Sequence, residues 1–348
     1  MGAILKIGGQ QFDFFSNLNI ELTYASIASR FSFDAFFDPE VPELVDLLKP
    51  LTYRTVEVAS QETGEKLITG TLLNNSYKSA KTTLLTNLSG YAKTGVLGDC
   101  PIPASEYPLE LNGLNFQEIA ERLCTPFGIS VVRGPNTQPA DEVFETIKPT
   151  LTQSVSQFLS ETAAQKNLVI SHDESGNLLI DRFTQEVKPV AFFEDGDTGL
   201  TINLNVSGQA MHNSISVLKQ ASRDTENASE EAFDNPFVDV FRPLVKQQSS
   251  GTASNTQEAA RNSVLSEIKQ GIVLTITTDR WEWVNESPEL IRPNRIISVK
   301  APNAYLFEQT NFFVESVSLR SNEREQTATL RCVLPEVFNG QNPKNIFA

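Results

Sequence analysis

The chain is poor in the side chains most often used for catalysis, metal binding and cross-linking: its 348 residues include three cysteines, two histidines, two tryptophans and two methionines. Cys100, Cys124 and Cys332 are odd in number, far apart and outside any CxxC pair, which excludes a disulfide framework and a zinc ribbon and fits assembly in a reducing compartment. His172 and His212 have no neighbouring His or Cys, so metal, Ser-His and Cys-His chemistry lack their usual spacing. No apolar run approaches the roughly 18–20 residues of a membrane span. Residues 1–15 lack the basic start and apolar core of a signal peptide, and Lys6 stands where a myristoylation signal wants Ser or Thr. The expectation is a soluble protein with no membrane insertion. Basic residues are also short, 28 against 43 acidic ones, for a net charge of -15. The acidic excess is spread along the chain, 13 against 8 in residues 1–110 and 9 against 8 in 271–348. Without a basic stripe to displace counterions from phosphates, specific nucleic-acid binding is not expected.

What is present is β patterning. The length suits two or three domains with cores of their own. Residues 51–60 alternate polar and apolar, Glu62-Thr63-Gly64-Glu65 supplies a turn, and 66–73 returns, which predicts a hairpin. A second pairing is expected between 70–77 and 81–91, and one or two helical turns over 43–48. Two prolines in Cys100-Pro101-Ile102-Pro103 mark a boundary near residue 100.

Beyond it, Asn115 with Glu118 three residues later is a capping box, and Phe116, Ile119, Ala120, Leu123 and Cys124 form a helical apolar stripe that Pro126 and Gly128 end. Cys124 is therefore expected in a core. Thr152 is the expected N-cap of a helix running to Lys166 through Val155, Phe158, Leu159 and Ala163. A strand over 168–171, a turn over 173–176 and a strand over 177–183 complete an α/β module.

Residues 187–218 again read as strand, with clean alternation over 200–206; 221–254 read as a long polar excursion, partly mobile, with an apolar island at 237–245. A helix opens at Thr256 and strands resume over 271–278. The arms 311–320 and 326–334 form a closing hairpin in which Ala328, Leu330, Cys332 and Leu334 share a face. It matches the 70–91 hairpin in length and placement, which suggests two related β modules around the α/β module.

No Walker loop or dinucleotide fingerprint is present. The carboxylate cluster 194–199 lacks the spaced ligands and closing Glu of a calcium loop and reads as a solvated turn. Asp173 and Glu174, adjacent at a hairpin turn, do not face one another as glycosidase carboxylates must. Trp281 and Trp283, two apart, would share one face of a strand, suited to a sugar platform, a subunit contact or core packing; no polar constellation flanks them, which favours burial. The residues thus yield no catalytic, cofactor-binding or metal site, and no cofactor is expected.

Several stretches in order nevertheless resemble the baseplate hub protein of contractile-tailed bacteriophages, the Mu-like tail protein P family. The resemblance runs from about Gly90 to Phe338. It is carried first by GYAKTGVLGDCPIPASEYPLELNGLNFQEIAERLCTPFGISV, similar to the family's link and first helix, and then by LTQSVSQFLSETAAQKNLVISHDESGNLLI. FVDVFRPLVKQ, TQEAARNSVLSEIKQGIVLTITTDRWEW, LIRPNRIISVKAP and FFVESVSLRSNEREQTATLRCVLPEVF follow in the family's order. The polar stretches 223–235 and 247–256 and the second Trp at 281–283 depart from the pattern.

The resemblance implies an α+β, predominantly β chain: a tube-like antiparallel β-barrel over 1–100, an α/β domain over 101–183, a second tube-like barrel over 184–220 and 271–338, a one-helix excursion over 221–270 and a tail over 339–348. It further implies a non-enzymatic homotrimer whose six barrels form a ring, adapting the sixfold tail tube to the threefold spike. Its partners would be the central spike protein and the tail tube or a distal tube-adaptor protein, with the tape measure protein a further candidate. DNA would cross the lumen without specific binding, and acidic residues lining that lumen would keep it from sticking. The location would be the virion baseplate, after assembly in the host cytoplasm, in a phage or a tailocin-type device. The contrasting readings are a tail-tip carbohydrate or receptor binder using Trp281 and Trp283, and a cell-wall hydrolase.

Overall fold

Alternation with a period of two lets a strand bury one face and wet the other, and the computed structural model turns the alternating segments into strands. It describes residues 2–79, 85–137, 143–183, 188–219, 229–248, 256–283, 289–339 and 341–348. The fold is mostly β. Its contacts divide into two compact units, the first comprising Met1–Gln185, Asp279–Pro293 and Ser316–Ala328, the second Glu186–Thr278, Asn294–Glu315 and Thr329–Ala348.

In the first unit, β1 (Ala3–Ile7), β2 (Gln10–Gln11), β3 (Phe15–Thr23) and β4 (Arg30–Phe36) precede a short helix α1 (Pro42–Leu47). Next come β5 (Thr55–Ser60), β6 (Lys66–Ser76) and β7 (Leu85–Ala92). All pair antiparallel in the order β2-β1-β5-β6-β7-β4-β3. The hairpins expected at 51–73 and 70–91 share β6; residues 80–84 of the second lie outside the described residues. On β4, Phe31, Phe33 and Ala35 are buried in alternation with Ser32 and Asp34. The Phe31 ring lies across Gly70 and Gly90, where a Cβ would come within 2.6 Å of it, so two neighbouring strands surrender side chains to one aromatic.

The same unit contains α2 (Val96–Asp99), α3 (Phe116–Cys124), β8 (Val131–Arg133), α4 (Val155–Gln165), β9 (Val169–His172) and β10 (Leu178–Asp181). The capping box forms as expected: Asn115 Oδ1 accepts from the Glu118 amide at 3.0 Å and Glu118 Oε2 from the Asn115 amide at 2.8 Å. Phe116, Ile119, Ala120, Leu123 and Cys124 are buried against Val155, Phe158, Leu159 and the strands. The N-cap of α4 is Ser154, not Thr152: its Oγ accepts from the Gln157 amide, and it stands directly before the first buried helical residue. β10 pairs antiparallel with β9, as the hairpin pattern predicts, and parallel with β8, a strand too short to show a period in the sequence.

The second unit contains β11 (Phe192–Glu194), β12 (Leu200–Val206), β13 (Ser214–Lys219), β14 (Ser229–Asp234), β15 (Pro243–Gln248), α5 (Thr256–Gly271), β16 (Ile272–Thr278) and β17 (Ile296–Ala301). β18 (Leu306–Ser321), β19 (Gln326–Val333) and α6 (Glu336–Asn339) follow. Leu306–Glu315 of β18 belongs to this unit and pairs with β17; the remainder, Ser316–Ser321, belongs to the first unit, where it pairs antiparallel with β3. β12 pairs antiparallel with β16 over seven residues, from Leu200 opposite Thr278 to Val206 opposite Ile272. Within the expected excursion, Ser229–Asp234 and Pro243–Gln248 are strands joined by a loop over 235–242, while 221–228 and 249–255 lie outside the described residues. β13 does not continue with β12; it is the centre of a separate three-stranded sheet, antiparallel to β14 and parallel to β15. The physical reason is α5, whose buried face of Ala260, Val264, Leu265 and Ile268 packs on β13 and β14 and gives this small sheet its own core.

Candidate functional site

Turns spend their polar groups on their own backbone, and the acidic candidates follow that rule. At 194–199 the Glu194 amide donates to Asp197 and the Asn303 amide donates to Asp195 at 2.8 Å, while Gly196 and Gly199 take positive φ. Asp173 accepts from the amides of Ser175 and Asn177 and from the Asn177 side chain, and the Glu174 carbonyl accepts from Thr69. Among the described residues no three His, Cys, Asp or Glu side chains converge as metal ligands.

The histidines hold structure. His172 Nδ1 lies 2.9 Å from the Asp173 carbonyl oxygen, and burial lowers its pKa below the ordinary imidazole value. Both oxygens of Glu267 on α5 engage His212, one accepting from its amide at 2.9 Å and the other 2.8 Å from Nδ1. This pair, 55 positions apart, left no mark in the sequence. Cys124 and Cys332 are fully buried, and desolvation pushes the Cys124 thiol up to about 12, the opposite of an activated nucleophile.

The tryptophan platform is overturned. Trp281 is fully buried, Trp283 only 3% exposed, and Trp281 Nε1 donates to the Thr327 carbonyl at 3.0 Å. Glu282 between them forms an isolated antiparallel bridge with Leu290 outside any regular strand and is itself buried. Burial raises its carboxyl pKa and Glu62 raises it further. A cleft of about 550 Å³ beside α3 is lined by Glu121 and five uncharged residues, which supplies one carboxylate where hydrolysis of a glycoside needs two.

Exposed apolar surface is the stronger feature. In the second unit a groove of about 710 Å³ lies between β12 and the turn 302–305, with Phe347 at its end. Among the described residues β12 pairs only with β16, so its other edge is open. The loop between β14 and β15 leaves Val240 63% and Phe241 87% exposed. No periodicity announces this loop, because its exposed residues answer to no core of this chain.

Residues 94–182, which span α2 to β10, match the second domain of the baseplate hub protein gp44-like family. The chain carries a gp44-like second domain. That domain is therefore the α/β module of the first unit, with the capping box and the three-stranded sheet inside it. Outside it, the fold as a whole is that of phage tail proteins. A 43 kDa tail protein of prophage MuSo2 from Shewanella oneidensis superposes with a TM-score of 0.80 at 20% identity, covering 97% of this chain and 99% of its own. A tail protein from Neisseria meningitidis gives 0.76 at 19% identity, covering 97% of each chain. An Escherichia coli component of the type VI secretion system, described as structurally similar to T4 bacteriophage tail proteins gp27 and gp5, gives 0.56 at 10%, covering 95% of this chain and 76% of its own. No curated protein sequence matches the chain.

Proposed function

We propose that the chain is the structural hub of a contractile-tail baseplate, a virion component without catalytic activity. The observation that carries this is the gp44-like hub domain at 94–182, set in a fold shared end to end with a prophage tail protein. In this reading three copies form a ring. Each copy contributes two tube-like β modules, residues 1–100 and residues 184–220 with 271–338, with the domain 101–183 between them and 221–270 inserted in the second. Six modules around a threefold axis would meet a sixfold tube on one side and a threefold spike on the other, and closed rotation is the ordinary way identical chains satisfy such a mismatch. DNA would pass through the lumen without base recognition. A net charge of -15 supports that, because it offers phosphates repulsion in place of counterion release.

Negative-stain images of the purified chain, alone and co-expressed with its genomic neighbours, test the reading. The expected particle is a ring with threefold symmetry and a central hole. Compact single particles under every condition would overturn it. A clearing band on peptidoglycan zymograms would overturn the non-enzymatic assignment.

A further inference from the structure

We infer that each β module carries an exposed aromatic patch at one end, Phe14 with Phe36 and Leu85 in the first unit and Tyr305 with Phe307 in the second, and that each patch seats one subunit of the sixfold tail tube. The inference deepens the hub reading above and rests on it.

The first patch follows from strand register. Phe36 stands opposite Leu85 across β4 and β7, and its amide donates to the Phe14 carbonyl at 2.9 Å, so the three side chains form one row on one face of three adjacent strands. Their neighbours in sequence, Phe15, Ala35 and Thr86, point the other way and are buried, whereas Phe14 is 63%, Phe36 36% and Leu85 47% exposed. Phe14 is set by an edge-on contact with buried Phe12, ring centroids 6.3 Å apart. Further along the same face Asp34 accepts from Asn17 at 2.8 Å and from Asn87 at 2.9 Å, so the row is bordered by polar groups that are already paired. An apolar centre with a satisfied polar border is the anatomy of a contact surface.

The opposite end of these strands is taken. There the turn between β3 and β4 carries the gp44-like domain: Thr94 Oγ1 donates to the Ile27 carbonyl at 2.5 Å, Ser171 Oγ donates to the Ser26 carbonyl at 3.1 Å, and Ile27 is buried in that domain's core with Leu97. β4 runs from this turn at Arg30 to the patch at Phe36, about 20 Å at the usual strand rise. Domain and patch therefore lie at opposite ends of one sheet, and a partner seated on the patch approaches from the side away from the domain.

The second unit has its own version, built from different residues. Beside the turn between β17 and β18, Tyr305 is 60% and Phe307 57% exposed, with ring centroids 5.1 Å apart in an edge-to-face contact. Half-buried Phe347 packs on Tyr305 at 6.0 Å. Tyr305 sits at a φ of 64°, a left-handed conformation that is costly for a bulky side chain, and the strain holds an aromatic ring in solvent.

Duplication identifies the occupant. A threefold spike on a trimer meets three equivalent sites, so one surface per chain suffices; a head-to-tail neighbour in the ring needs two unlike, complementary surfaces. A sixfold tube on a trimer needs six surfaces of like chemistry, two per chain and one on each β module. The two units offer such a pair: both patches are led by aromatics and neither contains a charged side chain, so one tube surface fits either.

Titration of the purified hub with the tube protein of the same tail tests this, with the spike protein as control. Phe14→Ser and Phe307→Ser, one in each unit, should melt as the parent does, keep the trimer mass and keep binding the spike. Each should weaken binding to the tube protein by at least roughly tenfold, and the double variant should lose it. Leu85→Ser and Tyr305→Ser repeat the test if either variant misfolds. Equal binding by parent and variants, or a trimeric parent that binds the spike and not the tube, overturns the inference and leaves the hub reading standing. A loss in one variant only breaks the duplication and with it the sixfold occupant. A variant that falls to monomer or drops the spike assigns its patch to that contact and likewise overturns the inference. A parent that is monomeric at every concentration and binds neither protein sinks the hub reading, and the inference with it.

Discussion

In the gp44-like domain, Phe116, Ile119, Leu123, Val155, Phe158 and Leu159 are all buried within one core, whereas the β14–β15 loop holds Phe241 87% exposed. Both regions are well hydrogen-bonded, the first through the Asn115–Glu118 capping box, the second through Arg242 and Asn213. The contrast lies in where the apolar surface goes. One region buries its hydrophobic residues within the chain; the other presents two of them outward.

Substitutions should separate the two regions sharply. Phe116→Ala removes a fully buried aromatic from the gp44-like core and should lower unfolding free energy by about 3–5 kcal/mol in a denaturant titration. Phe241→Ser, an equally drastic change in chemistry, should alter the stability of the single chain by no more than about 0.5 kcal/mol. Comparable losses at both sites would break the comparison.

Asn115→Ala should cost about 1 kcal/mol, since it deletes an N-cap acceptor and leaves an α3 amide unpaired. Hydrogen exchange should rise in α3 and leave β14 and β15 unchanged. Acidification gives the gentlest probe. The pKa of His172 is lowered in the folded chain, so below about pH 6.5 the unfolded state takes up a proton that the folded state refuses. Stability should therefore fall as pH drops through that region, until the lowered folded value is reached. His172→Gln should remove that part of the pH dependence, visible as a difference between denaturant midpoints at pH 7.5 and 5.5. An unchanged slope would show that this ring is not the group responsible.

The contrast between regions also explains what could be foreseen from residues alone. Asn115, Glu118 and the stripe from Phe116 to Cys124 are local signals, and all appear where their spacing puts them. At the next helix Thr152 and Ser154 are both chemically able to cap; Gln157, three residues after Ser154, was the signal that favours the latter. β8 has three residues, too few for a period, and becomes a strand through pairing with the distant β10. β14, Ser-Glu-Glu-Ala-Phe-Asp, reads as a polar turn because its strand character comes from β13 and from α5 packing against it. Trp281 and Trp283 are buried, as the lack of a flanking polar constellation favours, but Glu282 between them is buried too, which alternation along a half-buried strand does not foretell. Val240 and Phe241 lie in the apolar island at 237–245 that stands out in the sequence, but composition alone does not tell that they face outward.

Native mass spectrometry of the purified chain at micromolar concentration tests the central claim most directly. The hub account predicts a dominant species at three times the 38.5 kDa chain mass. A monomer that persists at every concentration, alone and with its tail neighbours, would contradict it.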